Sequence, residues 1–135
     1  MAADVLRALT ARHRTVVVDA GRGEVPDAAT HVVLVVPLTV PGLAGALAWR
    51  AVRTGAPVGA VEPVELVVTC GPAPGRLAPD DVATALDIPV AAHVGRVRGA
   101  RAAVERGDGP PVGHGTALRR AAERVLDVAV ARVDR

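Results

Sequence analysis

The chain is 135 residues long, 50% hydrophobic and close to neutral, with a formal charge of +2, which bounds it to one domain around a single core. That core has to be aliphatic, because Phe and Tyr are absent and Trp occurs once. Every basic residue is Arg, and Lys, Ser, Asn and Gln are missing, so a P-loop lysine, a serine nucleophile and side-chain amide recognition are all excluded.

In chain order, Ala2–His13 places Val5, Leu6, Ala8 and Leu9 at helical spacing. Asp4 comes early and Arg12 and His13 late, the charge order that suits a helix dipole. Thr15–Ala20 and His31–Val36 carry short runs of branched aliphatics bounded by turn residues, the pattern of strands buried on both faces of a parallel sheet. The link Gly21–Thr30 is rich in Gly and acids. Asp19 stands at the carboxyl end of the first run, where open α/β sheets place their ligands. From Val32 to Trp49 there is no charge, but Pro37, Pro41, Gly42 and Gly45 interrupt the run, so a strand followed by a helix is expected rather than a membrane span. Thr39 is placed to cap that helix and Pro41 falls in its first turn. Leu43, Ala44, Leu47, Ala48 and Ala51 then form an apolar stripe, with Trp49 off it.

Gly55–Pro63 is a Gly/Pro link, and Glu65–Cys70 is a third strand ending in the turn-rich Gly71–Gly75. Pro79, Asp80 and Asp81 open a helix that reaches about Leu86, with the acids at its positive end. A fourth strand over Ile88–Val94 leads through Gly95–Gly99 to a short helix ending at Glu105, stopped by Gly107–Pro111. The last helix is expected from about Thr116 to Val133, with Leu118, Ala122, Val125, Ala129 and Val133 inward and Arg119, Arg120, Glu123, Arg124 and Asp127 in water. The sum is an α/β fold in one domain, residues 1–135: a mostly parallel sheet of about four strands with right-handed crossovers and flanking helices.

Three stretches then follow one another: VVVDAGRGEVPDAATHVVLVVPL, LVVTCGPAPGRLAPDDVATALDIPVAAHVGRVRGARAAVERGDGPP and TALRRAAERVLDVA. In that order and spacing they resemble the carboxyl-terminal half of MinD/ParA-type P-loop ATPases, closest to the actinobacterial CpaE-like (TadZ-like) branch linked with pilus assembly, secretion or conjugal transfer. The resemblance covers nearly the whole chain and implies a truncated P-loop NTPase-like, SIMIBI-type three-layer fold. It implies that Asp19 holds the Mg²⁺ shell through water and that Gly21 or Gly23 senses the γ-phosphate. The loops after the later strands, Cys70, Gly71 and Pro72 in one and Gly95–Arg98 with Arg96 and Arg98 in the other, would approach the base and ribose of ATP. The family's amino-terminal half, with the Gly-rich loop and its Lys, is absent from this chain. The expectation is therefore a non-catalytic interaction module in a pilus, secretion or conjugation complex. No cofactor is expected for the chain by itself, and ATP with Mg²⁺ only once a P-loop half completes it.

Two alternatives stand beside that expectation: part of an active ATPase whose P-loop half is supplied in trans or was lost through a wrong start site, and a small anion- or nucleotide-binding regulator. In the family fold the P-loop strand lies between the Asp-bearing strand and the next. Gly21–Thr30 offers ten residues, short for a parallel crossover. Such a sheet closes its gap, takes a strand from a protein partner or a second copy, or leaves a polar edge exposed; association is expected.

The residues also carry plainer readings. Asp19 suits a cap on the following loop, and Gly21 and Gly23 suit a turn. Cys70 and His93 both fall near strand ends, where a thiolate–imidazole pair is conceivable, although a lone Cys there is ordinarily a small hydrophobe. His13, His31, His93 and His114 lack the paired spacing of zinc sites. Arg96, Arg98 and Arg101 cluster at a helix start and form the best remaining anion site. No nucleic-acid partner is expected, since aromatic stacking platforms are absent and charge is nearly balanced. One Cys and no opening secretory signal point to the cytoplasm, with membrane association indirect, at the inner face through a complex.

Overall fold

The computed structural model describes residues 2–53, 63–71, 77–113 and 115–133. They fall into two compact units, Met1–Thr30 and His31–Arg135, each taken by itself below.

In the first unit, helix α1 (Ala2–Arg12) forms where the spacing places it. Asp4 in its first turn reaches Arg7 at 3.6 Å, and Thr10 Oγ1 donates to the carbonyls of Leu6 and Arg7 at 3.0 and 3.1 Å. Residues 15–20 then run without a strand ladder, with Val17 86% and Val18 47% exposed. The strand expected over Thr15–Ala20 is therefore not present. A run of three valines gains little as a strand without a paired neighbour, and the ten residues before β1 are short for a parallel crossover.

The second unit holds a sheet of three strands, β1 (His31–Pro37), β2 (Val64–Cys70) and β3 (Val90–Val94), in that spatial order and all parallel. Among the described residues there are thus three strands rather than about four. Helix α2 (Val40–Arg53) follows β1, α3 (Pro79–Leu86) follows β2, and α4 (Ala100–Glu105) and α5 (Ala117–Val133) follow β3. Parallel strands with helical connections are what the alternation of runs demands.

Each helix start has a local cause. Thr39 Oγ1 accepts the Gly42 N–H at 3.1 Å, so the expected cap of α2 is made. Pro79 opens α3, and the Asp81 carboxylate reaches back to accept the Ala78 N–H at 2.7 Å, satisfying that backbone donor at the helix start. Helix α3 stops at Asp87, whose φ of +52° is left-handed. Thr116 prepares α5 by accepting the Arg119 N–H at 3.3 Å.

The core lies on both faces of the sheet. On one, Val36, Leu38 and Val67 pack with Val82, Leu86 and Ile88, joined by Leu43 and Ala46 of α2. Burying aliphatic side chains of this size stabilises the fold by roughly 1.5–3 kcal/mol each. On the other face Val68 and Ala92 pack against Ala121 and Val125 of α5.

Two helix faces differ from expectation. The packed side of α2 is Leu43 and Ala46, with Arg50 half-buried beside them, whereas Ala44, Leu47, Ala48 and Ala51 are exposed. Helix α2 is apolar nearly all round, so periodicity does not choose a side. Arg50 does: its Nε lies 2.9 Å from Glu65 Oε2 and its guanidinium donates to the Leu86 carbonyl. In α5 the inward positions are Ala121 and Val125, while Ala122 is exposed.

Candidate functional site

The parallel sheet gathers its carboxyl ends at one edge, which is where α/β proteins bind ligands. Backbone hydrogen bonds join those ends: the Leu38 N–H donates to the Cys70 carbonyl at 3.0 Å, and the Gly71 N–H to the Val94 carbonyl at 3.0 Å. Gly71 has a φ of +96°, which suits glycine and turns the chain out of β2. Its N–H is thereby engaged within the fold. Pro72 lies outside the described residues, as do residues 55–62 of the Gly/Pro link, residues 73–75 of the turn and His114.

Cys70 and His93 do not meet as a catalytic pair. The register sets Thr69 beside His93 and Cys70 beside Val94, so alternation along β2 and β3 sends Cys70 and His93 to opposite faces. Thr69 is fully buried, and its Oγ1 lies 3.0 Å from His93 Nδ1, which satisfies the hydroxyl. Burial pushes the Cys70 thiol above its ordinary pKa, the direction opposite to that of a nucleophile.

Arg96, Arg98 and Arg101 do come together. With Glu105 they line an open depression of ≈ 620 Å³ around Gly99, whose φ is +73°. One of the three already has a carboxylate: Arg101 Nε lies 2.7 Å from Glu105 Oε1, and both side chains are well exposed. Such a pair is screened by water and offers a ligand only a shared positive charge. Helix α4 has six residues, too short for a developed dipole.

Asp19, Gly21 and Gly23 belong to the first unit, and all three are exposed. The Gly21 N–H donates to Asp19 Oδ1 at 2.9 Å with Gly21 at a φ of +56°, and the Gly23 N–H donates to the Ala20 carbonyl at 2.8 Å. The carboxylate thus closes the loop that follows it, the geometry of an Asx turn. Among the described residues no cluster of three or more His, Cys, Asp or Glu side chains is placed to hold a metal ion. A single exposed carboxylate is a weak Mg²⁺ site, since the ion binds through carboxylates together with substrate phosphates.

One feature escaped the sequence. Among the described residues strand β1 is at the end of the sheet order, paired with β2, and its residues alternate between buried Val32 and Val36 and exposed Val33 and Val35, at 41% and 64%. HVVLVVP reads as a strand buried on both faces, yet α2 and α3 pack on one side while α5 packs along β3 on the other. The signal available in the sequence was the helix count: two helices share one face, leaving one main helix for the second. Comparison with family models, with curated proteins and with solved structures finds no match. No described helix is long and apolar enough to cross a membrane.

Proposed function

We propose that this chain is a non-catalytic interaction module that completes its sheet by accepting a strand along the outer edge of β1. The observation that carries this reading is an end strand whose outward valines, Val33 and Val35, are exposed and whose seven residues include no charged deterrent. Backbone N–H and C=O groups on the outer side of an end strand form a template for a further strand. The setting, a CpaE/MinD-like domain of P-loop NTPase type in a pilus, secretion or conjugation complex at the inner face of the membrane, rests on the sequence resemblance. A P-loop half supplied in trans would use the same edge, because the resemblance places its strand beside this one; ATP and Mg²⁺ would enter only with that half.

The test is affinity capture from cells making the tagged wild-type chain, Val35→Lys or Val112→Lys together with a differently tagged wild-type copy, which counts among the partners. Val112 is also exposed, at 59%, but lies far along the chain in a loop. Partners retained by wild type and Val112→Lys and lost by Val35→Lys support the module. An identical partner set for all three overturns it.

A further inference from the structure

We infer that the strand taken up by β1 is β1 of a second copy, running antiparallel about Leu34; this rests on the edge reading above and names its occupant. The sequence of β1, His31-Val-Val-Leu-Val-Val-Pro37, is nearly symmetric about its centre. Antiparallel pairing around Leu34 sets Val33 beside Val35 of the second copy, Val32 beside Val36, and His31 beside Pro37.

Parity makes this arrangement consistent. Residues 33 and 35 lie on the same face of β1, so the exposed valines of both copies meet on one side of the joined sheet, while Val32 and Val36 stay on the side of α2 and α3. Cross-strand pairs of branched residues at this spacing stabilise an antiparallel ladder. Two sheets of three strands become one of six.

Charge favours the same occupant. From Val32 to Trp49 there is no charged residue, so β1 and most of α2, which packs on it, meet their own copy without burying a charge or opposing like charges. A strand rich in Arg or Asp finds no counter-charge here, and the net charge of +2 repels a second copy only weakly. Area sets the strength. A seven-residue edge buries less than the roughly 1,200 Å² at which stable complexes begin, so the dimer dissociates on dilution.

The experiment combines mass by light scattering across a dilution series with disulfide trapping, in a Cys70→Ala background that leaves no other thiol. Val33→Cys and Val35→Cys chains are oxidised separately and as a mixture. Opposed residues in an antiparallel pair have Cα atoms about 4.5–5.5 Å apart, within the reach of a disulfide. The expected result is a concentration-dependent dimer and, in the mixture, a disulfide between the Val33→Cys and Val35→Cys chains several-fold more abundant than the symmetric disulfide that either chain forms when oxidised by itself. A chain that stays monomeric throughout overturns the inference, as does a dimer without the mixed crosslink. Val35→Lys read in cells separates the two levels: lost partners with a monomeric chain leave the edge reading standing and remove only the second copy as its occupant.

Discussion

Replacing Arg50 with Met tests the account of how α2 is oriented. The guanidinium ties three elements, pairing with Glu65 of β2 at 2.9 Å and donating to the carbonyl of Leu86 at the end of α3, from a helix whose apolar residues are spread round its circumference. The two charged side chains are 30% and 21% exposed, so the pair is neither fully screened nor fully buried. An exposed pair is worth about 0.2–1 kcal/mol, while removing a charged donor from a partly buried acceptor costs about 1.5–3 kcal/mol. Met keeps the aliphatic stem, so lost packing adds little, and the expected cost is about 2 kcal/mol. For a unit of this size that lowers Tm by roughly 8 °C. Urea unfolding followed by circular dichroism measures it, and a double-mutant cycle with Glu65→Gln should show a coupling of about 1 kcal/mol. A loss under about 0.5 kcal/mol, or strictly additive single effects, would refute the claim that this side chain selects the packed face of α2.

Leu86 is fully buried between α3 and the sheet, and Leu86→Ala should destabilise by about 2–5 kcal/mol in the same urea assay. The two glycines of α2 should behave oppositely. Gly42→Ala would set a Cβ 2.5 Å from the Pro37 carbonyl oxygen and lower stability, whereas Gly45→Ala meets nothing within 4 Å and should raise Tm, gaining about 0.5–1 kcal/mol of helix propensity. Cys70, its thiol pushed up by burial, should react with iodoacetamide more slowly at pH 8 than a free thiol does, and speed up only as pH rises past the ordinary thiol value; fast alkylation at pH 7 would contradict the burial. A fluorescent ATP analogue should show no Mg²⁺-dependent binding to the chain by itself that Asp19→Ala abolishes, since that carboxylate already serves the Gly21 N–H. A Mg²⁺-dependent signal lost in the variant would restore the nucleotide reading.

Elements with a local cause were legible in the sequence. Strands β1, β2 and β3 lie within a residue or two of the aliphatic runs. Thr39, Pro79 and Asp81 start their helices as capping chemistry requires, and α4 ends at Glu105. What was not legible depends on neighbours. The valines of residues 16–18 match those of β1 in composition, yet only the second run is paired in a ladder, with β2. The stripe Ala44, Leu47, Ala48 and Ala51 satisfies helical periodicity, but in a helix apolar nearly all round several faces do, and the choice fell to the partly buried Arg50. The candidate site divides along the same line. The Arg96, Arg98 and Arg101 cluster is local in sequence and duly converges, whereas the separation of Cys70 from His93 is decided by register between two strands.

Strand β2 is paired on both sides, Leu66, Val67, Val68 and Thr69 are all buried, and its last carbonyl and the next amide are tied to Leu38, just past β1, and to β3. Among the described residues it is the one strand whose departure leaves no sheet at all. Its amides can therefore exchange with solvent only when the whole unit opens, while those of β1 and β3 have lesser openings available to them. Amide exchange across 64–70 is thus a direct gauge of global stability, and any ligand or partner that binds only the folded unit will slow those seven amides together.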